Sequence, residues 1–307
     1  MKYLLVGLSV LMSTAALAQN VLNAKSPEEL REQRANKLVI NEAGDSISTE
    51  AEPLAYGFIE DKDIIWSKVV WETIDLKERL NQPYSKKGDE IIQNSKSLYE
   101  VLMDGMKEGR IKEVYATDEF TQRLDYDQIV SKLEFVEVDQ AFLDDLEANG
   151  ETPAEGEGIL KHQLHNEDVR MIQVKGLWYI DRRLGELKYR LLGLALLSKD
   201  IQAQTTQARM AGIESDEMFP LFWIWYPDAR KELSNYTIFN PKNSSSQITY
   251  DEVLNARRFS SIIYKAQTTV GVKAISEYIP DDAKSQLEEH NRIRNSIIQQ
   301  ESDMWNY

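Results

Sequence analysis

The chain has no cysteine among its 307 residues and only three histidines. Without cysteine it cannot form a disulfide, use a thiol nucleophile or carry a lipid on a terminal cysteine, so its stability must come from core burial, with or without assembly. Also absent are a phosphate-binding glycine loop, a dinucleotide fingerprint, a Gly-x-Ser-x-Gly elbow and a His-Glu-x-x-His motif. The sequence therefore assigns no catalytic, cofactor-binding or metal-binding residue.

The sequence contains two weaker chemical patterns. His162-x-x-His165 is followed by Glu167 and Asp168, but a metal site needs further ligands at fixed positions, and nothing fixes them here. We interpret this stretch as a polar strand or loop. A glycosidase needs only two carboxylates at a suitable separation, and among 51 acidic residues no pair stands out. That chemistry stays open.

Acidic residues outnumber basic residues in the chain. The 51 acidic and 36 basic residues give a formal net charge of -15 and an isoelectric point near 4.8. Such a surface repels nucleic acid and anionic lipid head groups. Hydrophobic residues make up 42% of the chain, which is enough for a substantial core. We expect no nucleic-acid partner.

Residues 1–18 have the pattern of a secretory signal peptide. Lys2 gives a positive start, Tyr3 to Leu11 is apolar, and Ala16-Leu17-Ala18 fits a cleavage site. The apolar run is shorter than the ~20 residues that span a bilayer, and no later run is long enough either. We therefore expect an exported, periplasmic protein without direct membrane insertion.

A short apolar run rich in aromatic residues extends from Leu221 to Tyr226, with Pro220 before it and Pro227 after it. Its short length and aromatic content predict a buried strand. Proline at either end fits, because proline cannot donate a hydrogen bond inside a sheet. We expect the charged residues of 228–233 that follow to leave the core.

The predicted class is α+β, with antiparallel sheet elements and flanking helices. Extended structure and disorder both fit the N-terminal arm, and strand and helix both fit 64–75. The predicted segments are a signal peptide (1–18), an extended arm or linker (19–57), a first α+β half (58–138), an acidic loop (139–158), a second α+β half with the main sheet (159–280) and a C-terminal helix (281–307).

Local signals place several elements. Capping boxes start helices after Ser97 and Thr249. Gly109 predicts the end of the first helix, and we expect the second to continue through Phe259 to Ile263. Alternation over 159–197 predicts antiparallel strands. A narrow apolar stripe on the last helix is expected to dock on its own domain or on a partner: Leu287, Ile293, Ile297 and Ile298.

Part of the first half recurs in the second. Duplication and chance reuse of common residue types both fit, and each unit would contain a strand, a polar crossover and a helix. The matching positions are Trp71, Asp75, Leu80 and Glu100-Val101-Leu102, against Trp225, Asp228, Leu233 and Glu252-Val253-Leu254.

Five of the six tryptophans lie inside apolar runs, where core packing is the better interpretation and exposed sugar platforms the alternative. These are Trp66, Trp71, Trp178, Trp223 and Trp225. Trp305, near the C-terminus, either pins the tail or contacts a partner.

Several motifs resemble the GldN family, also called PorN, of gliding-motility and type IX secretion components of Bacteroidetes. The resemblance extends in order over most of the chain after residue 18. Its motifs are Leu221 to Arg230, Phe239-Asn240-Pro241, Arg258 to Lys265, Trp66 and Trp71 with Ile74 to Glu78 and Asn81, Trp178 to Asp181, Arg190 to Gly193, and Asp303 to Tyr307.

This resemblance implies a non-enzymatic periplasmic subunit. It implies a ring formed with itself and with an outer-membrane lipoprotein of the GldK/PorK kind, which would hold the protein at the outer membrane. It also implies contact with the periplasmic part of a GldM/PorM-like motor protein. The alternatives are a periplasmic hydrolase or a ligand-binding module acting on cell-wall or sugar polymers.

Overall fold

The computed structural model describes residues 38–40, 46–48, 53–86, 96–138, 158–199, 217–239, 248–269 and 271–304, with isolated positions between 142 and 149. The predicted signal peptide at 1–18, most of the acidic loop at 139–158, and Trp305 lie outside these residues. The chain divides into two compact units, 1–49 and 50–307. In the first, the described part is an antiparallel hairpin of β1 (Leu38–Ile40) and β2 (Ser46–Ser48).

The second unit contains a seven-stranded antiparallel sheet with the strand order β11-β10-β3-β7-β8-β9-β4. Strands β5 and β6 form a separate antiparallel ribbon. The strands are β3 (Ile64–Asp75), β4 (Val114–Tyr115), β5 (Glu134–Val138), β6 (Ile159–Gln163), β7 (Val169–Asp181), β8 (Glu186–Lys199), β9 (Met218–Trp225), β10 (Ile262–Thr268) and β11 (Gly271–Ala274).

Helices flank the sheet, which confirms the predicted α+β class and the C-terminal helix. They are α1 (Leu98–Lys107), α2 (Tyr126–Leu133), α3 (Tyr226–Asn235), α4 (Tyr250–Asn255), α5 (Ile275–Tyr278) and α6 (Ala283–Met304), with 3-10 turns at Asp61–Asp63, Gln82–Tyr84 and Asn166–Asp168. Of the helices that the structure describes, none combines the length and apolarity needed to cross a membrane.

The longest strands form the centre of the sheet. β7 and β8 make a hairpin whose turn contains Gly185 at φ +63°, a backbone conformation that glycine adopts without steric cost. β3 pairs with β7 over 64–75, so the segment that fitted either strand or helix is a strand. The antiparallel strands predicted over 159–197 are confirmed.

The aromatic run is a buried strand, as predicted. Phe222 and Ile224 of β9 are fully buried. Pro220 lies within β9 where the pairing with β8 is irregular, and there the lost donor disturbs the ladder least. Pro227 opens α3, in the first turn, where its missing N–H is not needed.

The expectation that 228–233 leaves the core is wrong. α3 buries the apolar Ala229 and Leu233 and also the charged Arg230 and Glu232. The charges tolerate burial because each is matched, Arg230 by Asp251 and Glu232 by Arg110.

The predicted length of the second capped helix is also wrong. α4 ends at Asn255, and Ile262–Ile263 begin β10. Arg257 has φ 51°, which stops the helix, and the β-branched isoleucines then pair with β3. The helix predicted from Ser97 agrees with α1, whose capping box is formed and which is followed by Gly109 at φ 70°.

Both halves of the predicted repeat contain a strand, a crossover and a helix. β3 leads to α1, and β9 leads through α3 to α4. The next strands are exchanged across the sheet: β4 follows α1 but pairs with β9, and β10 follows α4 but pairs with β3. Each half therefore supplies a neighbour for the other's strand, and this explains why 50–307 is one compact unit.

The C-terminal helix docks on its own domain, and the apolar stripe divides between two faces. Ile293 and Ile297 are buried in a cluster with Val70 and Ile263 of the sheet. Leu287 and Ile298 are 47% and 50% exposed. Docking of α6 therefore uses only half of the predicted stripe.

We expect Ile297→Ala to lower the free energy of unfolding by about 2–4 kcal/mol, because it removes buried methyl groups and leaves a cavity. Ile298→Ala, one position along on the exposed face, should cost less than about 1 kcal/mol. Urea unfolding of both variants measures the difference. Equal losses would contradict the docking of α6 through Ile297.

A buried histidine also joins α6 to the sheet. The Ile263 N–H donates to Nδ1 of His290 at 2.8 Å, so this nitrogen must be unprotonated. Burial lowers the pKa of His290 below its usual 6.5, the nearby Arg294 lowers it further, and Glu72 acts in the opposite direction. The contact therefore depends on a neutral imidazole.

A lowered folded-state pKa means that the unfolded chain binds the proton more readily. The stability from this contact is therefore complete above pH 6.5 and is lost as the pH falls toward the folded-state pKa. We expect the melting temperature of the wild type to fall as the pH drops below about 6.5. His290→Gln, which keeps an acceptor but does not titrate, should be flatter in this range, and an unchanged slope would show that His290 is not responsible.

Candidate functional site

The most completely buried ion pair of the described residues joins α3 to α4. Arg230 donates from Nε to Oδ1 of Asp251 and from Nη2 to Oδ2, both at 2.9 Å. The two residues are 7% and 3% exposed. Tyr226 and Asn255 each donate to the same Oδ1 at 2.8 Å, so the carboxylate is fully solvated by the protein.

The pair positions Arg230, which together with Arg183 and Arg190 forms a clamp around residues 53–58. Residues 53–58 are called the clamped segment below. The clamped segment has no regular secondary structure and precedes the 3-10 turn that leads into β3. Three guanidinium groups donate hydrogen bonds to its backbone carbonyls, and such charge-assisted bonds are stronger than neutral ones. The contacts are Arg230 to Leu54 O at 2.6 Å, Arg190 to Gly57 O at 3.0 Å and Arg183 to Phe58 O at 2.9 Å.

Tyr56 anchors the clamped segment. Its ring centroid lies 3.9 Å from Cζ of Arg230 and 4.7 Å from Cζ of Arg190, so the two guanidinium groups both contact the ring. The hydroxyl donates to Oδ1 of Asn255 at 2.8 Å. Burial raises the pKa of Tyr56 to about 12 despite the opposing effect of Arg230, so the hydroxyl remains a donor.

The clamped segment turns two large apolar side chains outward. Leu54 and Phe58 are 79% and 78% exposed, more than any other large hydrophobic residue of the described structure. Ordered backbone with exposed apolar side chains is typical of a contact surface. We therefore take the clamped segment as the candidate functional site, a surface for binding a protein.

Buried carboxylates are the groups most suited to acid–base catalysis, and each one in the described residues contacts a basic side chain. A basic partner offsets the cost of burying a carboxylate inside the fold. The pairs are Glu72 with Arg257, Glu137 with His162, Asp181 with Arg183, Glu232 with Arg110, and Asp251 with Arg230.

Trp71 and Trp223 are each 3% exposed, so they pack in the core and offer no sugar platform. Phe120, at φ 54°, covers this face of the sheet and meets Trp225 edge-to-face at 5.0 Å. A Cβ on residue 193 would lie 2.5 Å from the tip of the Phe120 ring, so a larger residue than Gly193 would require this ring to move.

Two lysines fasten the loop that carries Phe120. Lys265 Nζ and Oδ2 of Asp118 are 2.6 Å apart, and Lys175 Nζ donates to the Asp118 carbonyl at 2.6 Å. Both ammonium groups also lie over the Trp71 ring, at 4.6 and 5.0 Å. Burial lowers the pKa of Lys175, and Asp118 opposes that shift. The arrangement is a packed cover over the tryptophans.

No group of three or more His, Asp or Glu residues within the described residues is arranged to hold a metal ion. His162 instead contacts Glu137 across the β5–β6 ribbon at 2.8 Å. His165 precedes the 3-10 turn at 166–168, and its N–H donates to Asp168. His162, His165 and Asp168 therefore make local structural contacts, and Glu167 lies within the same 3-10 turn.

Two cavities open at the surface of the described structure. One of about 300 Å³ lies between α1 and α2 and includes Lys112, Arg123 and Asp125. Another, of about 530 Å³, is lined by Lys77, Lys86, Asn166, Glu167 and Arg170, with other residues. Neither contains a residue of the clamp.

Comparison with known protein families gives a match over most of the chain. The family model for GldN, described as gliding motility associated protein GldN, matches residues 59–306. The chain belongs to the GldN family. No curated protein matches the chain closely enough to count as a relative.

The GldN match begins at residue 59, directly after the clamped segment. Arg183, Arg190 and Arg230 therefore lie within the family region, while Tyr56 lies before it. Two of these arginines, Arg190 and Arg230, belong to the motifs that carry the resemblance in the sequence.

Sequence analysis did not identify the clamp. Tyr56 falls within the predicted arm at 19–57, and nothing local distinguishes either Tyr56 or Arg183. One signal existed: Arg230 and Glu232 lie between the apolar Ala229 and Leu233, shortly after a buried strand. A helix with this pattern can be buried only if each charge has a counterion. The counterions, Asp251 and Arg110, are remote in sequence, so the pattern alone does not reveal them.

We expect Asp251→Asn to lower the free energy of unfolding by about 3–5 kcal/mol, because Arg230 then becomes a buried charge without a counterion. Glu288→Gln is the control, since its pair with Lys284 is 70% and 87% exposed and should contribute less than about 1 kcal/mol. Urea unfolding measures both. A loss for Asp251→Asn no larger than that of the control would contradict the assigned role of the pair.

Proposed function

We propose that this protein is a periplasmic structural subunit of the type IX protein secretion and gliding-motility machinery. Membership of the GldN family over residues 59–306 is the observation that carries the proposal. The signal-peptide pattern at 1–18 supports export to the periplasm.

In this role the protein assembles into a ring with copies of itself and with an outer-membrane lipoprotein of the GldK/PorK kind. The chain has no cysteine to carry a lipid, so a lipidated partner would hold it at the outer membrane. The ring contacts the periplasmic part of a GldM/PorM-like motor protein. The acidic surface supports neither nucleic-acid binding nor direct insertion into a membrane.

The role is non-enzymatic. The pairing of every buried carboxylate of the described residues with a basic group supports a structural use of these charges. The alternative, a hydrolase or ligand-binding module acting on cell-wall or sugar polymers, predicts a monomer. For the hydrolase it also predicts an activity that a single carboxylate substitution abolishes.

Purification from the native bacterium in mild detergent, followed by size analysis, tests the proposal. We expect a very large particle that contains an outer-membrane lipoprotein. A small monomer without partners would contradict the assembly role and favour the alternative.

The same preparation tests the clamped segment. Replacing Leu54 and Phe58 together by serine should reduce the amount of complex recovered while leaving the melting temperature unchanged, because both side chains are exposed. Leu80→Ser is the control, since Leu80 is 59% exposed on another part of the surface. Full complex recovery with the double variant would show that the clamped segment is not an interface.

A further inference from the structure

The β5–β6 ribbon leaves one face open to solvent. Glu134, Val136 and Val138 of β5 share this face with Ile159, Lys161 and Gln163 of β6, and all six are exposed. Three of them are large apolar residues, with Val136 51%, Val138 46% and Ile159 43% exposed. A two-stranded ribbon is marginal in isolation, and its outer edges can accept a further strand.

A second open edge lies on the main sheet. β11 is the outermost strand, and among the described residues it pairs only with β10. Val272 is 48% exposed, and Lys273 is exposed beside it. The opposite edge is β4, which is only two residues long, so β11 is the more complete pairing surface.

The two edges are complementary in charge. β5 carries the exposed Glu134, and β11 carries the exposed Lys273. Within the described residues neither of these side chains forms an ion pair. Opposite charges directly across two strands favour one register, and like charges oppose self-pairing of either edge.

We propose that β5 of one subunit pairs antiparallel with β11 of a second copy of this chain. The register that places Glu134 opposite Lys273 also places Phe135 opposite Val272 and Val136 opposite Gly271. It thereby combines an ion pair with an apolar pair on neighbouring positions. Backbone hydrogen bonds supply affinity in such strand addition, and side chains supply specificity.

This pairing is a head-to-tail contact, because the two edges are different surfaces of one subunit. Repetition of such a contact closes a ring when the rotation permits and otherwise gives a filament. The inference rests on the proposed function, since it names one of the contacts by which the ring subunit would join its neighbour. A short strand contact suffices where each subunit is also held by other partners.

Cross-linking tests the register, and the natural absence of cysteine removes background. The double variant Glu134→Cys with Lys273→Cys is assembled with its native partners and oxidised. Residues directly opposite on antiparallel strands have Cα atoms about 4.5–5.5 Å apart, within the range of a disulfide. We expect a ladder of multimers without reductant.

Matched controls define the outcome. Each single cysteine variant should give dimers at most, and Glu134→Cys with Lys284→Cys, on the exposed face of α6, should give no ladder. Large particles that give no ladder with the first double variant overturn this inference and leave the proposed function intact. A wild-type protein that forms no large particle overturns both.

Charge reversal gives an independent readout. E134K and K273E each place like charges across the contact, so each alone should lose large particles. A mixture of the two variants should recover the large particles. In the mixture, the reversed β5 edge of E134K meets the reversed β11 edge of K273E, and opposite charges again face each other. Particles unaffected by both single variants, or a mixture that fails to recover while both variants remain folded, contradict the pairing.

Discussion

The ion pair between Arg230 and Asp251 links the core of this protein to its candidate interaction site. Because of this pair, α3, which follows directly after the buried strand β9, can bury the charged side chain of Arg230 in the core. The same guanidinium then binds the Leu54 carbonyl and stacks on Tyr56. Loss of Asp251 would leave Arg230 as a buried charge without a counterion. It would also remove the support of the guanidinium group that holds the clamped segment. Fold stability and presentation of Leu54 and Phe58 are therefore coupled through one side chain.

The exchange of strands between the two halves is a second constraint. β4 and β10 each complete the sheet beside a strand of the other half, so neither half has a finished sheet alone. The helices α1, α3 and α4 then share one apolar core against the sheet. This arrangement leaves β11 at the edge and the β5–β6 ribbon outside the main sheet. These edges are the ones that we propose to pair between copies of the chain.

Much of the fold could be predicted because the signals are local. Ser97 and Glu100 form a capping box within one turn, and the strand at 221–225 follows from its apolar aromatic run. The predictions failed where a distant residue decides the outcome. Arg230 is buried because of Asp251, and Ile262–Ile263 form a strand because β3 offers a partner. Tyr56 of the clamp gave no local signal, since its contacts come from β8, α3 and α4.

The sequence by itself determined the α+β class, the antiparallel strands, the helix starts and the resemblance to the GldN family. These depend on residue type and on spacing within a few positions, which act through local backbone geometry and burial periodicity. Only the tertiary structure decided which charges are buried and which strands lie at the edges. Glu72 and Arg257, for example, are 185 positions apart and form two hydrogen bonds of 2.7–2.8 Å. Matching of this kind depends on the folded chain, because burial of either charge alone would be too costly.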